Sequence, residues 1–173
     1  MKKLLLSFFL FLPATLLIAQ DYDAKLKALN IELPEVGKPV ANYVKAVRTG
    51  NLLFLAGHGP QKADGSWITG KVGKDLTVEQ GYEASKLTAI NILATIKAEL
   101  GTLNKVKRIV KVNGMVNCTA DFYDQPKVIN GCSDLLVAVF GESGKHARAA
   151  VGMNALPMNT SVEIELVVEI SDQ

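Results

Sequence analysis

The stretch Ser161-Val162-Glu163-Ile164-Glu165-Leu166-Val167-Val168-Glu169-Ile170 leaves a folding chain little choice. Val162, Ile164, Leu166, Val168 and Ile170 fall on one face of an extended segment, and Glu163, Glu165 and Glu169 on the other. Alternation with period two marks a strand with one buried face. Just before it, the stretch that begins at Lys145 reads as a second strand, joined to the first by a short turn containing Pro157. There Arg148, Ala150, Gly152 and Asn154 share a face of small side chains around one large cation, which leaves room for a ligand. The plainer alternative is a hairpin in which Arg148 pairs with Glu163 or Glu165, worth under ~1 kcal/mol if exposed.

The rest of the chain supplies partners for these strands. Tyr43 to Val47 and Leu52 to Ala56 flank Thr49-Gly50-Asn51, a hairpin signal. Gly57-His58-Gly59-Pro60 follows, a Gly-rich turn of the kind that lets backbone approach a ligand. Thr77 to Leu100 reads as a helix: Thr77 and Gln80 make a capping box, and Tyr82, Ala89, Ile92, Leu93, Ile96 and Leu100 form an apolar stripe. Gly101 is its stop. Val106 to Val116 is β-branched and reads as a central strand. Gln125 to Phe140 reads as a second helix, with Pro126 in its first turn and Val128, Cys132, Leu135, Leu136 and Val139 on its buried face. Leu26, Leu29 and Leu33 suggest a short peripheral helix ending at Pro34. The order is ββαβαββ, an α+β mixed sheet with two helices on one face. The other sheet face then needs cover, which points to an oligomer.

The first residues read as a targeting segment. Met1-Lys2-Lys3 is basic, Leu4 to Ile18 is mostly apolar, and Leu17-Ile18-Ala19 offers a cleavage site. The expected organisation is a signal peptide over 1–19, an N-terminal extension over 20–35 and a single domain over 36–173. The product is exported, periplasmic or secreted, with no stable membrane anchor after cleavage. The whole chain carries 19 Lys and Arg against 17 Asp and Glu. Lys2 and Lys3 leave with the leader, so the mature chain is balanced and lacks the basic footprint of a nucleic-acid binder. Export permits a bridge between Cys118 and Cys132; two small buried thiols are the alternative.

No nucleotide-binding loop or nucleophile elbow is present, and two histidines far apart in sequence lack metal spacing. What remains is Arg148 on its small-residue face, carboxylates on the neighbouring strand and the Gly-rich turn. An arginine grips a carboxylate bidentately, and a carboxylate beside it orients a water. Such a site suits a small carboxylate-bearing substrate attacked by water, with no cofactor and no metal.

Ala147-Arg148, Leu156-Pro157 and Val162-Glu163-Ile164-Glu165 resemble the C-terminal signature of the RidA (YjgF/YER057c/UK114) family. Tyr43-Val44, Gly50-Asn51, Ala56-Gly57 and Asn130 extend the resemblance over roughly residues 36 to 171. The run from Gly141 to Gly152 is similar to a branch often labelled endoribonuclease L-PSP. The resemblance implies a chorismate-mutase-like fold, a homotrimer with sites between subunits, and hydrolysis of enamines and imines such as 2-aminoacrylate and 2-iminobutyrate to 2-keto acids and ammonia. Under it, Arg148 matches the arginine that holds the substrate carboxylate and Glu163 the acid near the attacking water. Tyr43, Gly57 and Asn130 match residues that line the cleft. Ala56, His58 and Ala150 stand where the family often has Ser, Gln and Cys, and His58 is either a group that titrates near neutral pH in the site or a hydrogen-bonded loop histidine. A noncatalytic small-carboxylate-binding or interaction module is the alternative, and an endoribonuclease a further one.

Overall fold

The computed structural model describes residues 21–37 and 41–171; the leader expected over 1–19 lies outside them. Five strands form one sheet: β1 (Ala46–Thr49), β2 (Leu52–His58), β3 (Val106–Asn117), β4 (Ala147–Met153) and β5 (Val162–Ile170). Their spatial order is β1-β2-β5-β3-β4. Three helices accompany them, α1 (Tyr22–Ala28), α2 (Val78–Leu100) and α3 (Gln125–Phe140). The mixed α+β sheet with α2 and α3 on one face matches the expectation.

Local signals explain most of these elements. Thr77 Oγ1 accepts from the Gln80 amide while Gln80 Oε1 accepts from the Thr77 amide, which closes the capping box of α2. Gly101 ends the helix at φ 80°, a conformation that costs a glycine nothing. Ala89, Ile92, Leu93 and Ile96 are fully buried, whereas Tyr82 and Leu100 are only partly covered. In α3, Val128, Cys132, Leu135, Leu136 and Val139 are buried as their spacing predicts. α3 lies close on α2: a Cβ at Gly131 would overlap the Tyr82 carbonyl, and Ser85 Oγ accepts from the Cys132 amide at 3.1 Å. Both cysteines are buried and free.

Two expectations need correction. The first helix stops at Ala28, not at Pro34, because Asn30 adopts φ 54°. The Ile31 amide then bonds Leu26 O and the Asn30 amide bonds Lys27 O, the pattern of a Schellman stop. The helix is also not peripheral. Tyr22 stacks edge-on against Phe140 at 4.7 Å and Leu26 is buried with it.

The second correction concerns the two C-terminal strands, which are not a hairpin. β3, α3 and β4 form a crossover unit, so β4 runs parallel to β3, at the edge of the sheet. The chain then passes the end of β3, where Asn117 Nδ2 donates to Asn159 Oδ1 and Thr160 O. β5 pairs antiparallel to β3 on its other side. β3 therefore separates the strands that sequence proximity suggested as partners, and the Arg148–Glu163 or Glu165 ladder pair does not exist. Arg148 lies opposite Val112, which faces the helices, and Glu163 lies opposite Met115 on the other face.

Candidate functional site

Arg148 projects from the edge strand toward α3. Two glycines seat α3 for this contact. Gly131 admits α2 on one side, and on the other a Cβ at Gly114 of β3 would meet the Ile129 side chain at 2.6 Å. Asn130 and Ser133, one helical turn apart, then look toward β4. Arg148 Nη1 donates to Asn130 Oδ1 at 2.8 Å and to Ser133 Oγ at 3.0 Å. Among the described residues, Nε and Nη2 have no hydrogen bond and Arg148 has no ion pair. These two N–H groups are the parallel side-on fork that fits a carboxylate. The small-residue face beside Arg148 is only partly open: the space over Gly152 is filled by Gln125 and Cys118, and Ala150 is half-buried against the core. The free space lies next to the guanidinium.

Glu163 and Gly57 meet on the opposite sheet face. The ladder between β2 and β5 shifts register between Leu55 and His58, which marks a bulge. Gly57 sits in that bulge, and the Glu163 carboxylate rests on it so closely that a Cβ at Gly57 would overlap the carboxylate. Burial, then the neighbouring Glu165, pushes the Glu163 carboxyl above its usual range. Among the described residues no hydrogen-bond donor reaches it.

His58 is beneath this half, not on its surface. It is 8% exposed, turned toward α2. Nδ1 donates to Ala56 O at 2.6 Å, and Nε2 faces Thr95 Oγ1 at 2.9 Å. Burial holds its pKa below the ordinary histidine value. The ring ties the bulge to the helix layer. Tyr43 is exposed just before β1, four strand steps from β4, or about 19 Å at ~4.8 Å per step.

The named residues thus form two half-sites within one chain: Arg148 with Asn130, and Glu163 with Gly57 over His58. Tyr43 joins neither. A groove of about 630 Å³ runs along the outer face of α2 and α3 and includes Tyr82, Lys86 and Asp134 but not Arg148 or Glu163. Sequence reasoning missed Ser133 and His146. Both touch the Arg148 half-site: His146 Nε2 lies 3.1 Å from Ser133 Oγ, and His146 Nδ1 lies 2.6 Å from Gly144 O. Their signal was present as spacing, since His146 precedes Arg148 by two and Ser133 follows Asn130 by three.

Comparison with known proteins agrees with this fold. The family described as "YjgF/chorismate_mutase-like, putative endoribonuclease" matches residues 23–170. Protein TCP17 of Trypanosoma cruzi is 41% identical over 150 residues, 86% of this chain and 94% of its own. A Dermatophagoides farinae protein named 2-iminobutanoate/2-iminopropanoate deaminase is 29% identical, covering 81% of this chain and 94% of its own. The crystal structure of Atu1372 from Agrobacterium tumefaciens, a protein of unknown function, superposes with a TM-score of 0.80 at 45% identity. It covers 88% of this chain and 96% of that one.

Proposed function

The chain belongs to the YjgF (RidA) family, and on that premise we propose that it hydrolyses small imine and enamine carboxylates to 2-keto acids and ammonia. The observation that carries the reading is the Arg148 guanidinium. Asn130 and Ser133 fix its Nη1 edge, while its Nε and Nη2 edge points where a substrate carboxylate can bind. A relative named as a 2-iminobutanoate/2-iminopropanoate deaminase supports the same chemistry.

One chain does not hold both halves of such a site, because Arg148 and Glu163 lie on opposite sheet faces. A homotrimer solves this. The open face carries Val47, Phe54, Val110 and Val151, all apolar and more than a third exposed, and packing it on a neighbour brings Glu163 and Gly57 of one copy to Arg148 of the next. Glu163 then orients the attacking water. The basic and apolar N-terminal run supports export.

The test is ammonia release from 2-iminobutyrate by the wild type and by Arg148→Ala. Loss of turnover and of 2-ketobutyrate binding in the variant supports the reading. Tight binding of 2-ketobutyrate without ammonia release by the wild type leaves a carboxylate-binding module instead. Light scattering should give about three chain masses; a stable monomer at micromolar concentration removes the inter-subunit site.

A further inference from the structure

The Arg148 half-site contains a proton acceptor of its own. Gly144 O can only accept, so His146 Nδ1 carries the ring proton. Nε2 is then a lone pair facing Ser133 Oγ, and the hydroxyl donates to it. Ser133 Oγ in turn accepts from Arg148 Nη1. A hydroxyl bonded to an imidazole that a third group orients is the arrangement that activates a hydroxyl or relays its proton. The competing explanation is that these bonds only pin the start of β4 to α3. Against it, Ser133 and His146 are both half-exposed and lie beside the open guanidinium fork, whereas the His58–Thr95 pair closes on itself inside the fold.

We infer that Ser133 and His146 are the proton-transfer pair of the Arg148 site, taking the proton of the water that attacks an imine whose carboxylate Arg148 holds. This rests on the imine reading of that site. As the water oxygen bonds the iminium carbon, one water proton passes to Ser133 Oγ while the Ser133 proton passes to His146 Nε2. The product is a neutral carbinolamine. The proton then returns through Ser133 to the amine nitrogen. The C–N bond breaks, the hydroxyl electrons close the carbonyl, and the hydroxyl proton leaves with ammonia as ammonium. Glu163, supplied by the neighbouring copy, orients the water but does not need to receive its proton.

The surroundings favour a neutral, receptive imidazole. Burial, then the Arg148 charge, holds the His146 pKa below its ordinary value of 6.5, against the bond to Gly144 O. Of the other charged groups nearby, Glu142 and Lys145 pair with each other at 2.7 Å, and Asp134 accepts from Tyr82. The Cys132 thiol is pushed up to about 12 and stays protonated. A carboxylate bound at Arg148 offsets the cation, so His146 becomes more basic and binding takes up protons.

The test compares wild type, Arg148→Ala, His146→Gln and Ser133→Ala. Ammonia release from 2-iminobutyrate is followed against pH, and 2-ketobutyrate binding by calorimetry in buffers of different ionisation enthalpy. The wild-type kcat should fall as pH drops through the His146 pKa, on a limb below 6.5. His146→Gln should lose about 10²-fold in kcat with KM changed by less than about threefold, and should lose both that limb and the proton uptake. Ser133→Ala should lose about tenfold in kcat and keep the uptake. If His146→Gln retains the limb and the uptake while Arg148→Ala loses binding, the inference falls and the imine reading stands. A His146→Gln protein that is less stable but otherwise unchanged in pH profile shows a structural pin and also overturns it. If Arg148→Ala binds like wild type, or the wild type releases no ammonia, the reading falls and the inference with it.

Discussion

The two half-sites keep their charged groups in opposite ways. Arg148 is exposed, and the protein holds one edge of it with two hydrogen bonds from α3. Glu163 is half-buried against the Gly57 backbone, has a second carboxylate nearby and receives no hydrogen bond among the described residues. The arginine is pre-oriented at little expense to stability, since exposed bonds of this kind contribute modestly. The carboxylate is ionised against the preference of its surroundings. The contrast shows that a fold can fix direction at one half of a site while storing an unmet electrostatic demand at the other. A ligand, a water or a second copy then answers that demand.

The sharpest way to break this comparison is Gly57→Ala. The added methyl meets the movable end of Glu163, not backbone, so the carboxylate must shift while the strand stays. A misplacement of about 1 Å costs on the order of 10² in rate, so ammonia release should fall that far while the circular dichroism spectrum remains native. Equal losses of activity and folded structure would show that Gly57 serves the bulge alone.

Next in size is Arg148→Lys. It keeps the charge but loses the side-on fork and the shared contact to Asn130 and Ser133. Affinity for 2-ketobutyrate should weaken about tenfold, or ~1.4 kcal/mol, close to the lower end of the ~1.5–3 kcal/mol that a hydrogen bond to a charged group contributes. An unchanged Kd would mean that position of charge, not fork geometry, decides binding.

The smallest effect sharpens the other half. Glu163→Gln removes the ionised group and keeps its shape, so it should lower turnover and raise the melting temperature at pH 7 by a few degrees at most. The sign follows from linkage. With the folded pKa above the unfolded 4.5, the native state binds more protons between those values, so wild-type stability declines as pH rises through that window. The advantage of the variant should therefore be present above the folded pKa and vanish below 4.5. A variant less stable at pH 7 would mean that Glu163 has a favourable partner in the assembled protein.

Much of this molecule was legible because its signals are local. The capping box at Thr77 and Gln80, the stop at Gly101, Pro126 in the first turn of α3 and the alternation from Val162 to Ile170 each act within a few residues. They hold wherever the segment ends up, so the sequence by itself determined the order of elements and their buried faces. Arg148 and Asn130, matched through the family resemblance, do lie together.

Tertiary structure alone decided who neighbours whom. Nothing within β4 or β5 states that β3 will lie between them; the parallel crossover through α3 decides that, and it sends Arg148 and Glu163 to opposite faces. His58 looked like a site residue because it lies within the Gly-rich turn. A bulge one residue earlier rotates it into the helix layer instead. Ser133 and His146 are thirteen residues apart, and only the seating of α3 on Gly114 and Gly131 closes that gap. Backbone propensity is written residue by residue, whereas strand pairing and side-chain convergence depend on where the whole chain can bury its apolar faces.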